Sequence, residues 1–299
     1  MPADDDEGPR DMQRITPALG GRRIGVVLVH GACHGSWCWE NVVDPVRSAG
    51  LEVHAVDLPL TSLSNDADVV RSAVRAMKES CEAVLVVGHS YGGVVITAGG
   101  HEADALMYCA ASMPDAGQAA SDVVPQLTTP ELESSLAVHE DGVTFGLDPV
   151  RAVPAFYGMC TAAQIKDVLG RLRPMHFACM NEAIVEPAWR SVPSSYVVCT
   201  EDLAMAPAYQ EGRANFLGDA VRLRCDHSLF YSAPDQLVAR LVEVASAGRR
   251  CGHGESAGHD TRLLRPGTAD LHRSSGGRLP RHVRGRPQRA NGLRHASSG

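Results

Sequence analysis

The sequence predicts an α/β fold in which helices cover both faces of a mostly parallel sheet. Short runs rich in Val, Ile and Leu alternate with stretches that have the apolar spacing of helices, and this alternation is typical of parallel sheets. The 299-residue length fits one large domain with an insertion. A hydrophobic fraction of 44% is enough for a sizeable core.

The first half of the chain contains four predicted strands, because these runs are apolar enough to be buried on both faces of a sheet. They cover residues 24–30, 53–58, 83–88 and 105–110. The stretches after the first three have helical spacing or follow a Gly-rich turn. They predict helices at about 40–49, 66–80 and 91–99.

From residue 112 to about 191 the alternation stops. No clear strand is evident there, and proline-punctuated, helix-like pieces lie at about 129–137, 149–157, 161–171 and 180–189. An insertion of this kind between strands of a sheet predicts a helical cap that covers an active site. The sheet is expected to resume at 196–199 and 220–225, and a helix at about 235–245 closes the domain, which spans 23–248.

Charge is unevenly divided along the chain. Residues 1–248 hold 17 Lys and Arg against 32 Asp and Glu, and residues 249–299 hold 11 Arg against 3 acidic residues. The acidic body argues against a nucleic-acid partner. Residues 1–22 are polar and irregular and predict a flexible arm. Residues 249–299 lack Phe, Trp and Tyr and predict a disordered Arg-rich tail.

The expected compartment is the cytoplasm. The acidic N-terminus lacks the basic-then-apolar order of a signal peptide. No apolar run reaches the ~18 residues that a membrane helix needs. The nine cysteines are odd in number and form no CxxC pair, which fits a reduced protein better than a disulfide framework or a zinc site.

The strongest chemical signal is the segment Gly88-His89-Ser90-Tyr91-Gly92, between a predicted buried strand and a helix. In that context G-x-S-x-G predicts a nucleophile elbow, a turn so sharp that only small residues fit beside the serine. The turn would lift the Ser90 hydroxyl above the sheet, near the positive end of a helix.

A second signal, HGACHG at 30–35, ends the first predicted strand. A sharp turn there can aim the backbone N–H of Ala32 at the space above Ser90, and with the N–H of Tyr91 it would form an oxyanion hole. Two histidines four residues apart could also suggest a metal. That spacing brings ligands together only in a helix, and no third ligand follows, so no metal is expected.

A serine nucleophile needs a base, and the base needs an orienting acid. His227 follows the last predicted strand and is the expected base, while Asp202 follows the preceding strand and is the expected acid. Asp226 is a poor rival, because a side chain adjacent in sequence cannot easily reach the imidazole. Glu201 is a nearer rival for the acid and stays open at this point.

Apolar residues of the cap have two equally acceptable interpretations: they line an acyl pocket, or they form the core of the cap itself. The residues concerned are Phe145, Phe156, Tyr157, Met159, Met175, Phe177 and Met180.

Taken together, these segments resemble the α/β-hydrolase superfamily, and more narrowly its branch of plant methylesterases, hydroxynitrile lyases and bacterial EstC-like esterases. The similarity is carried by VVLVHGACHGSWCW at 26–39, VVGHSYGG at 86–93, SYVVCTEDLAMAP at 195–207 and DHSLFYSAP at 226–234. The resemblance implies no cofactor. It implies Ser90 as nucleophile, Asp202 as acid, His227 as base, and Ala32 and Tyr91 as oxyanion donors.

Two positions separate the branches. The lyases carry Thr where this chain has Gly31, and Lys after the catalytic histidine where this chain has Ser228. Both lyase groups are missing, so the resemblance favours an esterase.

We therefore expect a cofactor-independent serine hydrolase that cleaves a small carboxylic ester through an acyl-enzyme. A hydroxynitrile lyase-like or C–C bond hydrolase using the same triad is the first alternative. A non-catalytic ligand receptor on this fold is the second. The expected partner is a small-molecule ester substrate. Binding to nucleic acid or to a membrane is not expected, and a homodimer is left open.

Overall fold

The computed structural model describes residues 23–247, so the predicted arm at 1–22 and tail at 249–299 lie outside the described residues. The strands, in chain order, are β1 (Ile24–Val29), β2 (Glu52–Val56), β3 (Ala83–His89), β4 (Ala105–Cys109), β5 (Leu136–Val138), β6 (Thr144–Leu147), β7 (Met175–His176), β8 (Ser194–Cys199) and β9 (Ala220–Leu223). Six of them form one parallel sheet in the order β2-β1-β3-β4-β8-β9. The α/β fold with a mostly parallel sheet is confirmed.

Helices flank this sheet and build much of the insertion. In chain order they are α1 (Glu40–Ser48), α2 (Leu63–Lys78), α3 (Gly92–Gly99), α4 (Ala120–Leu127), α5 (Pro130–Ser135), α6 (Ala152–Phe156), α7 (Ala162–Leu169), α8 (Ala178–Asn181), α9 (Pro207–Leu217), α10 (Leu229–Ser232) and α11 (Pro234–Ala247). None of these described helices is both long and apolar enough to cross a membrane.

The central strands are buried on both faces, which explains their continuous apolar sequence. Successive residues of a strand point to opposite faces of the sheet. On β1, Val27 and Val29 pack into the core that includes α2 and α3, while Val26 and Leu28 pack into the core that includes α1 and α11. Helices therefore cover both faces, as the apolar runs predict.

Parallel pairing places the carboxyl ends of β1, β3, β8 and β9 at one edge of the sheet. The loops that follow these strands carry every residue predicted for the site. Because β8 and β9 are neighbours, the loops after them emerge side by side. The topology thus brings together residues that are more than a hundred positions apart in sequence.

The expectation that residues 112–191 contain no strand is wrong. Strands β5, β6 and β7 form a small antiparallel sheet in the cap. A turn joins β5 to β6: the Asp141 carboxylate accepts the N–H groups of Val143 and Thr144, and Gly142 supplies a φ of +66°. The helix expected at 180–189 is also wrong. Helix α8 ends at Asn181, and only one 3₁₀ turn follows, at Ala188–Arg190.

Candidate active site

Ser90 occupies the tight turn between β3 and α3. Its φ of +55° is a left-handed conformation that is uncommon for a residue with a side chain. The two flanking glycines make the turn possible. A Cβ on Gly88 would lie 2.6 Å from the carbonyl oxygen of Gly92, and one on Gly92 would lie 2.6 Å from that of Val29. The turn therefore has the geometry that the G-x-S-x-G pattern predicts.

His227 and Asp202 meet where the loops after β8 and β9 emerge. The Nδ1–H of His227 donates to Oδ2 of Asp202 over 2.7 Å, and both side chains are buried. Oδ1 of the same carboxylate accepts the backbone N–H groups of Ala204 and Met205, each at 2.8 Å. These hydrogen bonds hold both oxygens of the Asp202 carboxylate, so the side chain is fixed in place against the imidazole.

Gln210, on α9, also binds this carboxylate and was missed by sequence reasoning. Its Nε2 donates to Oδ2 of Asp202 over 2.8 Å and to the carbonyl of Met205 over 2.9 Å, while its Oε1 accepts the N–H of Cys199 over 2.8 Å. The side chain is completely buried. Gln210 thus ties the acid to the end of β8, from which the acid-bearing loop starts.

The two other acidic residues considered for this role lie elsewhere. Glu201 is exposed, and its carboxylate lies 3.5 Å from Nε of Arg224. Asp226 accepts the N–H of Met159 at Oδ2 over 2.8 Å and the hydroxyl of Ser232 at Oδ1 over 2.7 Å. The carboxylate that meets the imidazole is therefore that of Asp202.

The other ring nitrogen of His227, Nε2, is buried and has no hydrogen-bond partner among residues 23–247. His227 and Ser90 line the same cavity. The ring of Phe156, at the end of α6, stands edge-on to the imidazole with 5.1 Å between centroids. In the neutral ring, Nδ1 holds the proton that it donates to Asp202, so Nε2 has the lone pair. This basic nitrogen is buried beside the cavity that Ser90 lines.

The backbone N–H groups of Ala32 and Tyr91 are free for an anion. Neither donates to another protein group in the described part of the chain, and both residues line the cavity. The turn carrying Ala32 lies against the serine: a Cβ on Gly31 would come within 2.9 Å of Cβ of Ser90. The two N–H groups thus have the surroundings expected of an oxyanion hole.

The cavity has a volume of about 380 Å³, and its walls are mainly apolar. Of the cap residues with two open interpretations, Phe145, Phe156, Phe177 and Met180 line it, whereas Tyr157, Met159 and Met175 are absent from its lining. Glu133 is the one carboxylate in the lining, and no lysine or arginine of residues 23–247 takes part.

His89, inside the turn, supports the loop after β9, which carries His227, and does not line the cavity. Its Nε2–H donates to the backbone carbonyl of His227 over 2.8 Å, and the two rings lie 4.6 Å apart between centroids. Burial holds the pKa of His89 well below its ordinary value, so the ring is neutral. His89 therefore fixes the backbone of the residue that bears the basic nitrogen.

A parallel sheet with a strained serine at one strand end and a buried histidine–carboxylate pair beside it defines an alpha/beta hydrolase. A family model described as the alpha/beta hydrolase family matches residues 26–241, and the chain belongs to that family. The predicted membership is confirmed.

The similar proteins include plant methylesterases, as the resemblance implies. Methylesterase 7 of Arabidopsis thaliana is 27% identical over 250 residues, covering 73% of this chain and 95% of the relative. Salicylic acid-binding protein 2 of Nicotiana tabacum is 28% identical over 251 residues, covering 73% and 96%.

Solved structures share the fold. Polyneuridine aldehyde esterase superposes with a TM-score of 0.65 at 19% identity, covering 75% of this chain and 100% of that one. A pyrethroid hydrolase from Sphingobium faniae superposes with a TM-score of 0.66 at 18% identity, covering 76% and 99%.

Proposed function

We propose that this protein is a serine esterase that hydrolyses a small carboxylic ester through a covalent acyl-enzyme. The observation that carries the proposal is the placement of His227. One of its nitrogens is bound to a buried carboxylate, and the other is buried without a partner beside the cavity that Ser90 lines. A serine becomes a nucleophile only with such an oriented base. The relatives named methylesterases bear out the prediction of a carboxylic ester hydrolase.

In the proposed mechanism, Ser90 Oγ attacks the ester carbonyl carbon while Nε2 of His227 takes its proton. Asp202 holds the imidazole in the Nδ1–H tautomer and stabilises the cation that forms. The carbonyl oxygen becomes an oxyanion that accepts the N–H groups of Ala32 and Tyr91. The C–O bond to the alcohol then breaks, and the alcohol leaves with the proton from His227.

The acyl-enzyme is hydrolysed by the same groups in a second round. His227 removes a proton from water, the hydroxide adds to the acyl carbonyl, and the carboxylic acid leaves as Ser90 regains its proton. The apolar walls of the cavity favour an uncharged substrate with an apolar acyl or alcohol part. A methyl or short-chain ester of an aromatic or polyketide-like acid fits this description.

The structure disfavours the lyase alternative at two positions. The threonine expected of lyases has no room, because a Cβ on Gly31 would already lie 2.9 Å from Cβ of Ser90. The lysine expected after the base is replaced by Ser228, whose hydroxyl is buried and uncharged. The receptor alternative is disfavoured because a pure binder has no need of a buried, oriented base.

The deciding experiment compares wild type with Ser90→Ala on p-nitrophenyl acetate, methyl aryl esters and mandelonitrile. We expect measurable ester hydrolysis, little cyanide release, and a loss of ~10⁴-fold or more in kcat for the variant, with its melting temperature retained. A serine-directed phosphonate should form a stoichiometric adduct on Ser90. Efficient mandelonitrile cleavage would favour the lyase, and failure to form any adduct would favour the receptor.

A second pair of variants separates the two candidate acids. Asp202→Asn should lower kcat by about 10⁴-fold, because the amide favours the wrong tautomer of the base. Glu201→Gln should have little effect, since its side chain is exposed. The reverse ranking would move the orienting acid to Glu201. The cytoplasmic location stays a prediction, and a homodimer stays open.

A further inference from the structure

Two buried histidines lie on either side of the backbone that carries the Ala32 N–H. His30 follows the last residue of β1, and His34 lies in the loop that continues from it. Their exposed fractions are 0% and 1%. Neither lines the cavity, so neither is placed to touch a substrate there.

Each histidine has its tautomer set by its neighbours. His30 Nε2 accepts the backbone N–H of Leu58 over 3.0 Å, so its proton is on Nδ1, which donates to the carbonyl of Gly31 over 2.9 Å. Nδ1 of His34 lies 2.7 Å from the carbonyl of Ala32 and must donate to it. Its Nε2 is then the acceptor for the hydroxyl of Tyr157, 2.7 Å away.

Both rings are neutral, because burial lowers the pKa of each to about 4. A neutral imidazole has one donor and one acceptor, and each ring uses both. The hydrogen bonds therefore run in one direction: from Tyr157 to His34 to Ala32 on one side, and from Leu58 to His30 to Gly31 on the other.

The carbonyl held by His30 belongs to the same peptide group as the Ala32 N–H. A peptide group is planar, so fixing the direction of the carbonyl of Gly31 also fixes the direction of that N–H. Accepting a hydrogen bond at the carbonyl also strengthens the N–H as a donor, since linked hydrogen bonds polarise one another. His34 holds the next carbonyl, that of Ala32 itself, so both peptide planes around this residue are fixed.

We infer that His30 and His34 are positioning residues that aim the Ala32 N–H at the oxyanion, and that Tyr157 of the cap completes the arrangement through His34. The inference rests on the proposed esterase function, in which this N–H stabilises the transition state. It assigns the histidines of HGACHG to the geometry of the oxyanion hole.

The test compares His34→Ala with His34→Asn, because an asparagine amide nitrogen can occupy about the place of Nδ1 and restore the donor to Ala32. Removing a whole oxyanion donor costs ~10²–10³ in kcat, so misaiming one should cost ~10- to 100-fold. We expect that loss in the alanine variant, with KM changed by less than about threefold, and most of the loss recovered in the asparagine variant.

A pair of ketone inhibitors separates positioning from general damage. An alkyl trifluoromethyl ketone forms an adduct with Ser90 that carries an oxyanion, whereas the matching unfluorinated ketone binds without one. In His34→Ala the affinity for the first should fall by the same factor as kcat, and the affinity for the second should stay unchanged. Equal weakening of both inhibitors would overturn the inference, as would an unchanged kcat.

Two further variants complete the design. Tyr157→Phe removes one hydroxyl outside the cavity and should lower kcat by about threefold to tenfold with the same inhibitor pattern; an unchanged kcat in this variant would also overturn the inference. His54→Asn is the matched control, because His54 is exposed on β2 and does not line the cavity, and it should behave as wild type. A wild type without ester turnover or Ser90 adduct would instead count against the proposed function.

Discussion

Lowering the pH from 8 to 5 should destabilise the folded protein. The folded state buries neutral imidazoles, and these become protonated in the unfolded chain at the lower pH. Burial lowers the pKa of His30 and of His34 from 6.5 to about 4. At a pH between these two pKa values, the imidazoles bind protons in the unfolded state but not in the folded state. The contribution of these rings to the free energy of unfolding is therefore at its full value well above pH 6.5, decreases as the pH falls from about 6.5 to about 4, and is lost below that.

The size of this effect follows from the two pKa values. One pKa unit corresponds to about 1.4 kcal/mol, so each histidine can remove about 3 kcal/mol in total and about 2 kcal/mol by pH 5. Together they should lower the free energy of unfolding by about 4 kcal/mol, against a typical total of about 5–15 kcal/mol. His89, whose pKa burial also depresses, acts in the same direction.

Urea unfolding followed by circular dichroism at pH 8, 6.5 and 5 measures this directly. His34→Asn removes one of the titrating rings, so its loss between pH 8 and 5 should be about 2 kcal/mol smaller than that of wild type. His54→Asn should retain the wild-type loss, because that ring is exposed. A free energy of unfolding that is constant over this range, or an equal loss in wild type and His34→Asn, would refute the reasoning.

Three other substitutions test separate parts of the site. Gln210→Leu leaves the N–H of Cys199 without an acceptor and should cost ~1–3 kcal/mol in urea unfolding, with a roughly tenfold lower kcat from a less firmly held carboxylate. Gly31→Thr should lower kcat/KM for p-nitrophenyl acetate at least about tenfold without producing cyanide release, because its Cβ would press on Ser90. Glu133→Lys should raise kcat/KM about threefold or more for a mono-p-nitrophenyl ester of a dicarboxylic acid, relative to the neutral ester of equal length.

The parts of the fold that sequence predicts well are those with a local cause. The central strands can be predicted because strands buried on both faces need apolar residues throughout. The turn at Ser90 can be predicted because glycines are required beside it. The residues after consecutive parallel strands meet at one edge, which narrows the acid to Asp202 or Glu201, and the contacts in the structure separate these two. Each of these signals is contained in a short stretch of chain.

Other features depend on contacts that no short stretch records. Gln210 reaches the acid only because α9 packs back against β8, and a glutamine in a helix has no distinguishing pattern. The cap strands have two to four residues, too few for the alternation that marks a strand, although the Asp141–Gly142 pair is a usable turn signal. The roles of His30 and His34 likewise depend on which atoms face each ring nitrogen.

The cap is attached, at two positions close together in sequence, to two of the four loops that carry the site. Tyr157 donates to His34 in the loop after β1, and the N–H of Met159 donates to Asp226 in the loop after β9. Exchanging the cap for that of a relative, as a way to change the acyl preference, is therefore more than a change of cavity lining. A transplanted segment must supply a hydroxyl at position 157 and a backbone N–H at position 159. A proline at position 159 would leave the loop after β9, which carries His227, without that hydrogen bond.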